Sequence, residues 1–156
     1  MVEPVRSVSG TGQRVLTSIA LLAAVFLCWL NGILVRTVTV DVQFLGETAD
    51  RSDYRVAAGA GVMTAALLVL GLVALVSLGA PAWLGYLTGA GVATQLGLGV
   101  TAWWSSRGAD DSVVATRSAW DGVKDVFVLP GSWPLLLLLL VAVVVALRGR
   151  SSPTPR

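Results

Sequence analysis

The sequence predicts an all-α membrane protein built as a bundle of four transmembrane helices. Three observations carry that prediction. Only 13% of the 156 residues are charged and 55% are hydrophobic, where soluble domains average about 25% charged. The mean hydropathy is +0.79. Four stretches, residues 15–35, 59–79, 83–104 and 133–147, contain no Asp, Glu, Lys or Arg. A chain of this length holds one domain, and these stretches consume most of it, so no separate soluble domain fits.

Residues 1–14 read as a polar N-terminal tail rich in Ser and Gly. Val15 to Val35 then runs without a charge, long enough to cross a hydrocarbon core that takes roughly 20 residues. A signal peptide would have an apolar region of about 7–15 residues ending in a small-x-small cleavage site. This run is longer and ends at Arg36, so it reads as an uncleaved signal anchor. Cys28 sits inside it as a small hydrophobe. Trp29 and Asn31 lie near its outer end and fit an interfacial position. Asn31 is also a candidate polar contact.

The first polar loop follows. Val38, Val40, Val42 and Phe44 alternate with Thr37, Thr39, Asp41 and Gln43, a period of two that signals a strand. Continuation of the first helix past Arg36 fits residues 37–44 equally. Gly46 to Tyr54 has turn composition. The second span, 59–79, carries a small-x-x-x-small pair at Gly61 and Ala65. Ala80-Pro81 makes a turn so short that the second and third spans form an antiparallel hairpin.

The third span, 83–104, contains YLTGAGVATQLGLGVTAWW. Small residues recur every fourth position at Gly85, Gly89, Ala93, Gly97 and Thr101. A second row runs Gly91, Gln95, Gly99. In water so much glycine disfavours a helix. In a bilayer it lets neighbouring helices come close. The expectation is therefore that the bundle packs around this span, with the five-residue row as an assembly surface. Gln95 is the one strongly polar group near mid-membrane, and an interhelical hydrogen bond is its expected role.

In the second polar loop, Asp110 or Asp111 suits a helix cap. Val113, Thr116, Trp120, Val123 and Phe127 then fall on one helical face, with Arg117 and Asp121 four apart. This predicts an amphipathic helix lying on the membrane or on the bundle, weakened by Gly122. Pro134 is placed to open the last helix. Six leucines follow, and then Val141 to Leu147. Without glycine or polar atoms this span is expected to face lipid. Residues 148–156 form a basic tail.

Four spans put both tails on one side. The tails hold five arginines and one glutamate, so the positive-inside rule places both termini in the cytoplasm and both polar loops outside. Trp103, Trp104 and Trp133 then form an outer interfacial belt, Trp83 and Tyr86 an inner one, and Trp120 a further surface anchor.

Chemistry is thin. The absence of histidine removes imidazole acid–base catalysis and most zinc and haem sites. One cysteine excludes an internal disulfide. No Asp, Glu, Lys or Arg lies within a span, which argues against a proton relay. The loop carboxylates Asp110, Asp111, Asp121 and Asp125 interleave with arginines and read as a solvated, salt-bridged surface. No phosphate loop or dinucleotide fingerprint occurs, so no cofactor, metal or catalytic residue is assigned and the protein is not expected to be an enzyme. The expected partners are the lipid bilayer and another membrane protein or a second copy of this chain, with no nucleic acid. The expected location is a bacterial plasma (inner) membrane. The leading functional expectation is an accessory or scaffolding subunit. The alternative is a transporter or channel component with a neutral path near Gln95.

Overall fold

A computed structural model describes residues 9–37, 49–111, 117–128 and 132–150. It is all-helical, with five helices: α1 (Ser9–Arg36), α2 (Arg51–Ser77), α3 (Ala82–Ser105), α4 (Ala119–Val128) and α5 (Ser132–Arg150). Among the described residues there is no strand. The predicted strand over 37–44 falls, apart from Thr37, outside the described residues.

Two helical stretches, Val15–Arg36 and Arg51–Ser77, are each long and apolar enough to cross a membrane. Segments of α4 and α5, inclined at 73° to one another, pass the same test only as a bent pair, which would make three. The four straight spans expected from the sequence are thus not reproduced. The third fails for a simple reason. Glycine, threonine and Gln95 lower the hydropathy of α3 even though it carries no charge.

Several helix ends also differ from expectation. Helix α1 starts at Ser9, inside the stretch read as a tail. Helix α2 starts at Arg51, eight residues before the expected span, because Asp50 caps it. Asp50 Oδ1 accepts from the Asp53 N–H at 2.9 Å and the Asp53 carboxylate accepts from the Asp50 N–H at 3.3 Å. This reciprocal capping box satisfies donors that would otherwise be orphaned at the helix start, and it overrides the loop-like composition of residues 51–54. Helix α5 runs to Arg150, past the expected end at Leu147.

The α2–α3 turn is made by Gly79, whose φ of 69° lies in the left-handed region. The Gly79 N–H reaches the Val76 carbonyl and the Ala80 N–H the Leu75 carbonyl, both at 3.0 Å. This is a Schellman ending, which needs glycine at that position. Pro81 follows and starts α3 antiparallel to α2.

The organising helix is α2, not α3. Among the described residues α1 and α2 each touch all four other helices, α2 far more extensively, whereas α3 touches only α2 and, more lightly, α1. The cause lies in Val56 to Gly61, six consecutive buried residues of which five are Ala or Gly. A helix that is small all round admits neighbours on several sides at once. On one side Gly61 meets Gly99 and the Gln95 backbone of α3 at about 3 Å from where a β-carbon would sit. On another, α4 crosses backbone to backbone: Gly59 lies against the Ala119 carbonyl and Gly122 against the Val56 carbonyl. Leu21, Cys28, Leu67, Leu68, Leu75 and Leu135 are fully buried between α1, α2 and α5.

Helix α4 lies on the bundle, but not by the face expected. Gly122 and Val126 are buried, while Trp120 is 64% exposed and Val123 and Phe127 are only partly covered. Glycine decides this, because without a side chain it lets the α4 backbone reach α2. Its cap differs too. Asp121 accepts from the Ser118 N–H at 2.8 Å and the Ser118 hydroxyl at 2.9 Å. Arg117 pairs with Asp125 at 2.6 Å, and Lys124 with Asp121. Asp111 instead pairs with Arg51 at 2.8 Å.

A candidate functional site at the junction of α1, α2 and α3

Midway along α3, the side chain of Gln95 is completely buried. Its Nε2 donates to the Trp29 carbonyl of α1 at 2.9 Å. Gly32 of α1 makes this approach possible. A β-carbon there would lie 2.7 Å from Gln95 Oε1 and 2.8 Å from Thr64 Oγ1. Three helices therefore converge on one point, with Gln95 from α3, Thr64 from α2 and the bare backbone of Gly32 from α1.

The junction is polar and incompletely paired. Among the described residues, Gln95 Oε1 and Thr64 Oγ1 at the junction, and Asn31 Nδ2 and Trp29 Nε1 of α1, are buried without a hydrogen-bond partner. Thr64 contrasts with Thr88, which is also buried but donates to the Leu84 carbonyl one turn back at 2.9 Å. An unmade hydrogen bond in a buried place costs the desolvation of the group, about 1–3 kcal/mol. Gln95 Oε1 and Thr64 Oγ1, which meet at Gly32, give the junction the capacity to take up a hydrogen-bonding group. None of the four titrates near neutral pH, so the chemistry available is hydrogen bonding and not proton transfer or nucleophilic attack. Beside the junction an apolar groove of about 410 Å³ lies between α1 and α3, lined by Phe26, Trp29, Leu87, Gly91 and Thr94 among others.

The structure separates the two rows of α3. Gly91 rests on Trp29 and Leu68, and Gly99 rests on Ala58 and Val62. With Gln95 between them, this row is the packed one. Of the longer row, a β-carbon at Gly85 would lie 3.6 Å from Leu72, while one at Gly89 or Gly97 would meet nothing within 4 Å among the described residues. Ala93 and Thr101 are exposed, and the Thr101 hydroxyl turns back to the Leu98 carbonyl. Gly61 and Ala65 of α2 are both buried. Asn31 is buried within α1 and is not at an end of the helix. Trp83, Trp103, Trp104, Trp120 and Trp133 are each between 49% and 69% exposed.

Gly32 and Thr64 belong to the junction and were not singled out from the sequence. The available signal was weak. Asn31-Gly32 has turn composition but sits inside a helix, and Thr64 is a lone hydroxyl in an aliphatic run. Among the described residues no three Cys, Asp or Glu side chains converge. No family model, curated protein or solved structure matches the chain.

Proposed function

We propose that the protein is a non-catalytic, multi-pass component of a bacterial plasma membrane that serves as an accessory or scaffolding subunit. In this reading α3 crosses the membrane together with α1, α2 and α5. Both termini lie in the cytoplasm, and α4 lies outside with the 106–111 turn. The observation that carries the reading is the disposition of α3. One of its small rows is consumed in packing on α2 and α1, while Gly89, Ala93, Gly97 and Thr101 face away from the other described helices. Small residues on an open membrane-helix face suit close approach by a second helix, from another protein or a second copy. Crosslinking in native membranes tests this. Wild-type protein is expected in a complex, and Gly89→Leu with Gly97→Leu should dissociate it without loss of helicity. Recovery of wild-type monomers alone overturns it.

The unpartnered Gln95 and Thr64 oxygens, next to the α1–α3 groove, favour a second reading as a transporter or channel component for a neutral solute. Loss of a permeability phenotype in Gln95→Leu with assembly intact would select it.

A further inference from the structure

We infer that the cleft between the start of α2 and the end of α3 binds the phosphodiester of an anionic phospholipid. The cleft has a volume of about 300 Å³ and is lined by Arg51, Arg55, Trp103, Ser106 and Arg107. Among the described residues three guanidinium groups line it and no carboxylate does. They reach it from two directions. Arg51 and Arg55 are one helical turn apart on α2 and therefore share a face, while Arg107 sits in the turn that closes α3.

The three arginines are not equivalent. Arg51 is structural. Its Nε donates to the carbonyls of Ser106 and Ala109 at 3.1 and 3.2 Å, and its Nη1 pairs with Asp111. These bonds fasten the 106–111 turn over the start of α2 and so hold Arg107 opposite Arg55. Arg107 is oriented by Trp104, its guanidinium carbon lying 5.0 Å from the ring centroid, a cation–π contact that leaves the N–H groups free to donate. Arg55 and Arg107 are exposed and form no salt bridge among the described residues. Two positive charges are thus left over, in the planar fork geometry that suits phosphate oxygens.

What lies beneath the cleft selects a lipid over a soluble anion. Leu96, Val100 and Trp103 form an exposed apolar stripe on one face of α3, 44%, 65% and 49% exposed, leading from the cleft along the helix. Val62 of α2, 55% exposed, lies within 3.7 Å of the β-carbon position of Gly99 and widens the stripe. A cationic cleft above a continuous apolar stripe, edged by tryptophan, matches a phosphate headgroup with its acyl chain below it.

The inference rests on α3 being a membrane helix, and labelling of a cysteine at Ser105 tests that separately. The direct experiment is native mass spectrometry of the full chain released from nonionic detergent. The probes are phosphatidylglycerol, phosphatidylcholine and inorganic phosphate. Wild-type protein is expected to retain phosphatidylglycerol roughly tenfold better than phosphatidylcholine. The Arg55→Gln, Arg107→Gln variant should lose that preference, and Arg55→Lys with Arg107→Lys should keep most of it. Arg51 is left intact so that the turn stays fastened, and circular dichroism checks the fold. Equal retention of the two lipids by wild-type protein overturns the inference without reference to any variant. So does an unchanged preference in the glutamine variant. Displacement of phosphatidylglycerol by millimolar inorganic phosphate would overturn the choice of a lipid and assign the cleft to a free anion.

Discussion

Gly32 leaves no room for a methyl group between Gln95 and Thr64, and this sets the energetics of the junction. Gly32→Ala would force a β-carbon against two buried side chains, and overpacking of this kind costs about 1–3 kcal/mol. Gln95→Leu should cost less, no more than about 1 kcal/mol. It removes one interhelical hydrogen bond, worth about 0.6 kcal/mol on average in a membrane bundle, but it also removes the unpartnered Oε1. Reversible unfolding in mixed micelles should rank the two in that order, and the reverse order would mean that Gln95 does more than hold Trp29. Asp121 gives a pH test at the same scale. The Ser118 N–H, then the Ser118 hydroxyl and the Lys124 ammonium push its carboxyl down from 3.8 to about 2. A carboxylate with a lowered folded pKa stabilises the fold above its unfolded pKa, and that contribution is lost as pH falls through the folded value. The first turn of α4 should therefore loosen between about pH 4 and pH 2. Backbone amide shifts of Ser118 to Gly122 would report it, and Asp121→Asn should abolish the pH dependence.

At the scale of elements, glycine means opposite things at different positions. Gly59 and Gly122 each lie against a carbonyl of the other helix, so α2 and α4 touch through their backbones. Gly59→Ala or Gly122→Ala should cost about 2 kcal/mol or more, because backbone cannot rotate aside as a side chain can. Gly97→Ala meets open space and should be neutral or slightly stabilising through helix propensity, by up to about 1 kcal/mol. Thermal or denaturant unfolding of the three variants decides the matter. Equal effects at Gly97 and Gly122 would contradict the crossing described. The sequence displays two small rows on α3 and a glycine in α4, but nothing local tells which row is packed. Gly61 opposite Gly99 decides it, together with the reach of Gln95 to the Trp29 carbonyl, and both depend on helices distant in sequence. The hydrogen bond expected of Gln95 was legible because a lone amide in an apolar helix must find a partner. Thr64 and Gly32 were not legible, because threonine can satisfy itself within its own helix and glycine carries no chemical label.

At the scale of the molecule, membrane topology is the decisive question. Ser77 and Ser105 are exposed at opposite ends of the α2–α3 hairpin. If α3 spans the bilayer, Ser105→Cys should react with an impermeant maleimide in intact cells and Ser77→Cys only after permeabilisation. Native Cys28 is buried and should not compete. Labelling of both from the same side would show that α3 does not cross and would remove the four-span arrangement.

That the chain is helical and apolar can be read from its residues one at a time. Those properties are additive, since uncharged runs and the scarcity of helix breakers act residue by residue. The sequence also marked the Ala80-Pro81 turn, although the left-handed angle that makes it sits one residue earlier at Gly79. Tertiary structure alone decided that α2 and not α3 sits at the centre. It decided which glycines are crossings and which are open surface. It also brought Arg51, Arg55 and Arg107 to one cleft from parts of the chain some fifty residues apart. The physical reason is common to all three. Close packing is a property of pairs of surfaces, and a row of small residues has no meaning until its partner is in place.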